Sequence, residues 1–159
     1  MIILGVDPGS HATGYGVIST GPVVRMLAGG VIRTSSKAPL SERLLTIYNA
    51  LTTVIATHDP MQMAVEDLFN AKNPRSSLIL GHARGVIMLA GAVAGLSPAE
   101  YAPREVKQAL TGNGAATKEQ VRFMVMRLLG LKEEPPLDLS DALAVALTHK
   151  GRSRFAGRG

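Results

Sequence analysis

Ile2-Ile3-Leu4-Gly5-Val6-Asp7-Pro8-Gly9-Ser10 is the stretch that decides the reading of this chain. Its first five residues are almost continuously apolar, and turn residues follow at once. Such a run reads as a strand buried on both faces. Gly14-Tyr15-Gly16-Val17-Ile18 repeats the pattern a few residues later and predicts a second strand. Asp7 stands where the first strand stops, which is where a carboxylate emerges from a core into a cleft. Its alternative role is an Asx-type turn residue ahead of Pro8-Gly9.

Working outward, Ser19-Thr20-Gly21-Pro22 is a turn, and Val23 to Arg33 reads as a third strand. Gly29-Gly30 predicts a bulge or kink within it. Tight connections make these three strands an antiparallel meander. Pro39 suits the first turn of a helix whose apolar positions Leu44, Ile47, Tyr48, Leu51, Val54 and Ile55 recur at helical spacing, ended by Asp59-Pro60. Met61 to Val65 then predicts a fourth strand running into Glu66-Asp67. A helical crossover favours a parallel neighbour. If that neighbour is the first strand, Glu66 and Asp7 come side by side.

Leu68 to Lys72 is read as a connecting loop, with Phe69 either stacking on an unpaired base or folding back onto the core. Asn73 as N-cap and Pro74 open a glycine-containing helix in which Gly81 and Gly85 share a face. Interior glycines cost roughly 1 kcal/mol each against alanine, so close packing is expected there, on the chain's own sheet or on a second copy. Leu96 to Tyr101 predicts a fifth strand and Pro103 to Leu110 a helix. Thr117 and Gln120 frame a capping box for a helix that stops at Gly130. Leu137 to His149 is the last helix, with Asp138 and Asp141 on one face near its start. Asp7, Glu66, Asp138 and Asp141 are thus the candidate chemistry. Carboxylates are the hard oxygen ligands that Mg²⁺ or Mn²⁺ takes, though Asp138 and Asp141 would also suit a helix dipole. Lys118, a cation in a helix's first turn, opposes the dipole unless a phosphate sits there.

The 159 residues suit one domain with a real core, and the absence of cysteine excludes disulfides and thiolate metal sites. The N-terminal apolar run is short and lacks a basic leader, so a cytoplasmic protein without a membrane is expected. Four of the 17 basic residues (Lys150, Arg152, Arg154 and Arg158) fall in residues 150–159, which leaves 13 basic against 12 acidic groups before them. The expected organisation is one domain over residues 1–149 and a basic flexible tail over residues 150–159. Within residues 69–127, Lys72, Arg75, Arg84, Arg104, Lys107, Lys118, Arg122 and Arg127 face only three acids. That asymmetry suits either a polyanion or an ordinary solvated surface.

Several stretches together carry a resemblance: Gly5-Val6-Asp7-Pro8-Gly9-Ser10, Thr13-Gly14-Tyr15-Gly16, Val65-Glu66, Ala71-Lys72-Asn73, Gly81-His82-Ala83-Arg84-Gly85, Val106-Lys107-Gln108, Asp141-Ala142-Leu143-Ala144 and Thr148-His149. In this order the chain resembles the RuvC family of bacterial Holliday-junction resolvases, within the ribonuclease H-like superfamily. The resemblance implies an α/β fold with a five-stranded mixed sheet flanked by helices, strands 1–3 antiparallel and strands 4–5 parallel. It implies a metal-dependent endodeoxyribonuclease that resolves four-way Holliday junctions by paired symmetric nicks in recombination and repair. Asp7, Glu66, Asp138 and Asp141 match the family's metal-binding catalytic acids, and some relatives have histidine where this chain has Asp138. Mg²⁺, with Mn²⁺ as substitute and two ions per site, is the implied cofactor. Lys107 and Lys118 match DNA-contacting residues, and Phe69 and Lys72 fall in a loop near the junction's opened bases. The implied partners are four-way junction DNA, a second copy docked through the Gly81 and Gly85 helix, and the RuvA–RuvB branch-migration complex. Two other readings stay open: an actin/hexokinase-like phosphotransferase, from Asp7-Pro8-Gly9 and Thr13-Gly14, and a non-catalytic junction-binding protein.

Overall fold

The computed structural model of the chain describes residues 1–67 and 73–156, the last four of these by backbone only. The elements are β1 (Ile2–Asp7), β2 (Ala12–Ser19), β3 (Arg25–Arg33), α1 (Leu40–His58), β4 (Gln62–Glu66), α2 (Pro74–Val93), β5 (Ala99–Tyr101), α3 (Pro103–Thr111), α4 (Lys118–Leu129) and α5 (Leu137–Ala156). They build a five-stranded sheet in the order β3-β2-β1-β4-β5. β1, β2 and β3 pair antiparallel, while β4 pairs parallel to β1 and β5 parallel to β4. The expected mixed topology is therefore the observed one.

Strand parity sorts the core into two layers. Leu4 and Val6 of β1, with Met63 and Val65 of β4, pack with Ile47 and Leu51 of α1 and Ala83 and Ile87 of α2. Ile3 and Ala64 face the other way, onto Val106 of α3, Val121 and Val125 of α4, and Leu143 and Ala146 of α5. Asp7 and Glu66 have the parity of Ile3 and Ala64, so both belong to the α5 face.

Local signals set most helix ends. Asn73 accepts a hydrogen bond from the Ser76 N–H, and Thr117 and Gln120 form a reciprocal capping box. Gly130 and Asp59 end α4 and α1 in the left-handed region.

Three expectations are corrected. The sheet irregularity lies at Leu27, between the Val17–Ala28 and Ile18–Met26 pairs, and not at Gly29-Gly30. A Cβ on Gly29 would strike the Leu139 side chain and one on Gly30 the Tyr15 ring, so these glycines make room for neighbours. β5 starts at Ala99 rather than Leu96, because the Leu96 N–H closes the end of α2 on the Gly91 carbonyl at 3.0 Å. The helix expected to end at His149 continues to Ala156, across most of the residues expected as a flexible tail. Arg152 anchors that extension through Glu105 (2.8 Å) and by lying 5.1 Å over the Tyr101 ring.

α2 is long and apolar enough by composition to cross a membrane, yet Ala83, Ile87, Ala90 and Gly91 bury one of its faces in the protein. Its glycines divide between the two explanations offered by the sequence. Gly91 packs on Met63 and Pro98 of the same chain, whereas Gly81 and Gly85 meet nothing within 4 Å.

Candidate active site

Asp7 and Glu66 end neighbouring parallel strands. The register pairs Gly5 with Ala64 and Val6 with Val65, so the next same-face pair is the two acids. α5 crosses directly above them. A Cβ on Gly5 would collide with the Ala142 carbonyl, and one on Gly14 with the Asp138 carbonyl. Glycine at these two positions lets the helix backbone rest on the strands, which no longer side chain permits. Gly14 pairs with Asp7 across β1 and β2, so this contact sets the head of α5, with Asp138 and Asp141, over Asp7.

The electrostatics follow from burial. Asp7 is only 8% exposed. Burial first, then the charge of Glu66 and the hydrogen bond shared with it, push the Asp7 carboxyl well above the usual carboxylate range. Burial also raises Glu66, and the Asp7 hydrogen bond opposes that rise. The pair therefore holds a proton between its carboxyl groups more readily than free acids would. Burial raises Asp141 as well, against the pull of Lys118, whose Nζ donates to Asp141 Oδ2 at 3.1 Å. Asp141 in turn raises Lys118.

Glu66, Lys107, Lys118 and Asp141 line one cavity of about 160 Å³, floored by Val106 and Ala144. The cavity thus sets two amines beside two carboxylates. A larger, shallower groove of about 500 Å³ beside Phe123 and Met124 lies away from these acids. Among the described residues no three His, Asp or Glu side chains form a closed ligand set. The donor set itself fits a hard divalent ion, because it offers carboxylate oxygens and neither sulfur nor imidazole.

The structure thus gathers Asp7, Glu66, Asp141, Lys107 and Lys118, with Asp138 one turn from Asp141 on α5. Phe69 and Lys72 lie outside the described residues. Lys118 differs from its sequence reading in having an acid partner, Asp141. The basic surplus of residues 69–127 is partly neutralised as well: Arg84 pairs with Asp67 and Glu100, and Arg122 with Glu134. Two functional features escaped the sequence reading. One is the role of Gly5 and Gly14 as the seat of α5. The other is Arg84, whose ion pair with Asp67 braces the residue after Glu66 from α2. The strand position of both glycines was the available signal for the first; nothing local signalled the second.

Residues 3–149 match the family model described as "Crossover junction endodeoxyribonuclease RuvC". The chain belongs to the RuvC family. A RuvC of Stutzerimonas stutzeri is 52% identical over 149 residues, 93% of this chain and 85% of the relative. One from Desulforamulus reducens is 49% identical over 161 residues, 99% of each chain. A solved structure of Thermus thermophilus RuvC in complex with Holliday junction substrate superposes with a TM-score of 0.93 at 40% identity, covering 98% of this chain and 96% of that one. The ribonuclease H-like sheet is accordingly the RuvC fold, and the acid cluster lies within the RuvC-matched span.

Proposed function

We propose that this chain resolves four-way DNA junctions by metal-dependent hydrolysis of two symmetry-related phosphodiesters, leaving 5′-phosphate and 3′-hydroxyl ends. The observation that carries the reading is the convergence of Asp7, Glu66 and Asp141 beside two lysines, in a chain that is RuvC-like from residue 3 to residue 149.

Asp7 and Glu66, fixed at strand ends, and Asp141 and Asp138, on the head of α5, hold the divalent ions. These are Mg²⁺, or Mn²⁺ in its place, two per site. Bound ions of this kind activate water and stabilise the leaving oxygen of an in-line displacement. Glu66 and Asp7 give up their shared proton as ligands must. Lys118 exchanges Asp141 for a DNA phosphate, and Lys107, on the same cavity wall, adds a second positive charge for the strand. Phe69 and Lys72 belong to the segment between Glu66 and α2 and act at the opened bases of the junction.

Two nicks at related positions require two sites, and a two-fold dimer supplies them. The exposed face of α2, with Leu78, Leu89 and Val93 around Gly81 and Gly85, is the proposed contact between copies. Its apolar character and open glycines support that use. The RuvA–RuvB complex is the proposed partner on the same junction.

The test is a nicking assay, titrated with Mg²⁺ and Mn²⁺, on a four-way junction and on linear duplex of the same sequence. Junction-selective paired nicks are expected. Equal cleavage of both substrates leaves a nuclease and removes the resolvase, and binding without nicking supports a non-catalytic junction protein.

A further inference from the structure

Arg43, in the second turn of α1, is 7% exposed and has no carboxylate partner among the described residues. Its guanidinium donates to the Ser10 carbonyl, to Thr34 Oγ1 at 3.3 Å and to His11 Nδ1 at 3.3 Å. A buried cation without a counter-charge is costly, so what it fixes and what neutralises it both need an account. It fixes the β1–β2 turn, residues 8–11, against the loop after β3. The Thr34 N–H donating to the His11 carbonyl at 3.0 Å ties the same two segments.

The bond to His11 also sets the ring. A guanidinium only donates, so Nδ1 is the acceptor in this contact and Nε2 is left as the ring's donor. His11 is exposed. Arg33 ends β3 and pairs in register with Ala12, the residue after His11, and Lys37 follows three residues after Thr34, which Arg43 holds. Both are exposed, and neither forms an ion pair among the described residues. The only acid within residues 8–12 and 33–43 is Glu42. His11 is four residues from Asp7, a span of at most about 14 Å of extended chain. That covers roughly four phosphates at their axial spacing along one strand.

We propose that the β1–β2 turn is a second contact for the DNA backbone, in which His11 donates Nε2–H to a phosphate near the scissile one, Arg33 and Lys37 neutralise its neighbours, and Arg43 is the positioning residue beneath. The contact rests on the junction-cleaving reading and adds to it an attachment point on the side of Asp7 opposite Glu66, since β2 and β4 flank β1. A strand held there and at Lys107 and Lys118 is gripped on both sides of the acids.

The test measures binding of a labelled four-way junction, and of linear duplex of the same sequence, in EDTA across a potassium chloride series, for wild type, His11→Ala, and Arg33→Ala with Lys37→Ala. The double variant is expected to bind about tenfold more weakly at low salt, with the slope of log K against log salt smaller by roughly 0.9 per lost phosphate contact. His11→Ala is expected to weaken binding several-fold with little change of slope, because it removes a neutral donor. Wild-type affinity and slope in the double variant, or wild-type affinity in His11→Ala, overturns the proposal. If wild type itself prefers duplex to junction, the junction reading fails instead, and the two failures are distinguishable.

Discussion

Buried at the end of β1 and hydrogen-bonded to Glu66, Asp7 keeps its proton to a pH well above that of a free aspartate. The unfolded chain loses the same proton near pH 4. Between these two points the native state binds more protons than the unfolded state, so metal-free stability falls as pH rises through the interval. The loss is complete above the raised pKa. Asp7→Asn removes that liability. Metal-free melting curves at pH 8 are expected to show a higher Tm for Asp7→Asn than for wild type, with the gap closing near pH 4. The same variant is expected to lose nicking with Mg²⁺, keep junction binding, and gain less thermal stabilisation from Mn²⁺ than wild type does. Wild-type nicking would overturn the assignment of Asp7 as a ligand. The stability result has its own control in Lys118, whose pairing with Asp141 already offsets part of the acidic charge.

α5 is the element that assembles the site, and its seat is glycine. Its head bears Asp138 and Asp141, its middle lies on Gly5 of β1, and its far end is tied to Tyr101 and Glu105. Gly14 has no positive φ, so an alanine there suffers no backbone penalty, only collision with the Asp138 carbonyl. Gly14→Ala is therefore expected to cost about 1–3 kcal/mol by overpacking and to cut single-turnover nicking by an order of magnitude or more. Chemical denaturation and a nicking time course measure the two effects, and an unchanged rate would separate the seat of α5 from the geometry of the acids. What the sequence revealed and concealed follows the same division. The acid ends of β1 and β4, the pair on α5 and the capping box of α4 are legible because each is a local pattern. The packing of Gly29, the seat of α5 and its extension past His149 depend on atoms far along the chain: Leu139 against Gly29, the Ala142 and Asp138 carbonyls over Gly5 and Gly14, and Tyr101 and Glu105 beneath Arg152. Lys118 lies between these cases, since its odd position in a first turn was visible and its partner Asp141 was not.

At the scale of the whole molecule, the sheet separates the two proposed tasks. The acids face α5 on one side, and α2 packs on the other with Leu89 54% and Val93 67% exposed. Arg84 links them, reaching from α2 to Asp67 beside Glu66. Leu89→Glu is expected to give a monomer by sedimentation, because a carboxylate cannot be buried against a second copy without a partner. On a supercoiled plasmid that extrudes a cruciform, this monomer should yield nicked circles where wild type yields linear product. A linear product from a proven monomer would show that paired cleavage does not need the α2 face.

The parity of β1 and β4 has one more consequence, about spacing rather than identity. Alternate residues of a strand face opposite layers, so losing a single residue between Ile3 and Asp7 turns the carboxylate from the α5 layer toward α1 and α2. All four acids would still be present in such a chain. The proposed catalytic set is thus written in the count of residues along two strands as much as in their chemistry.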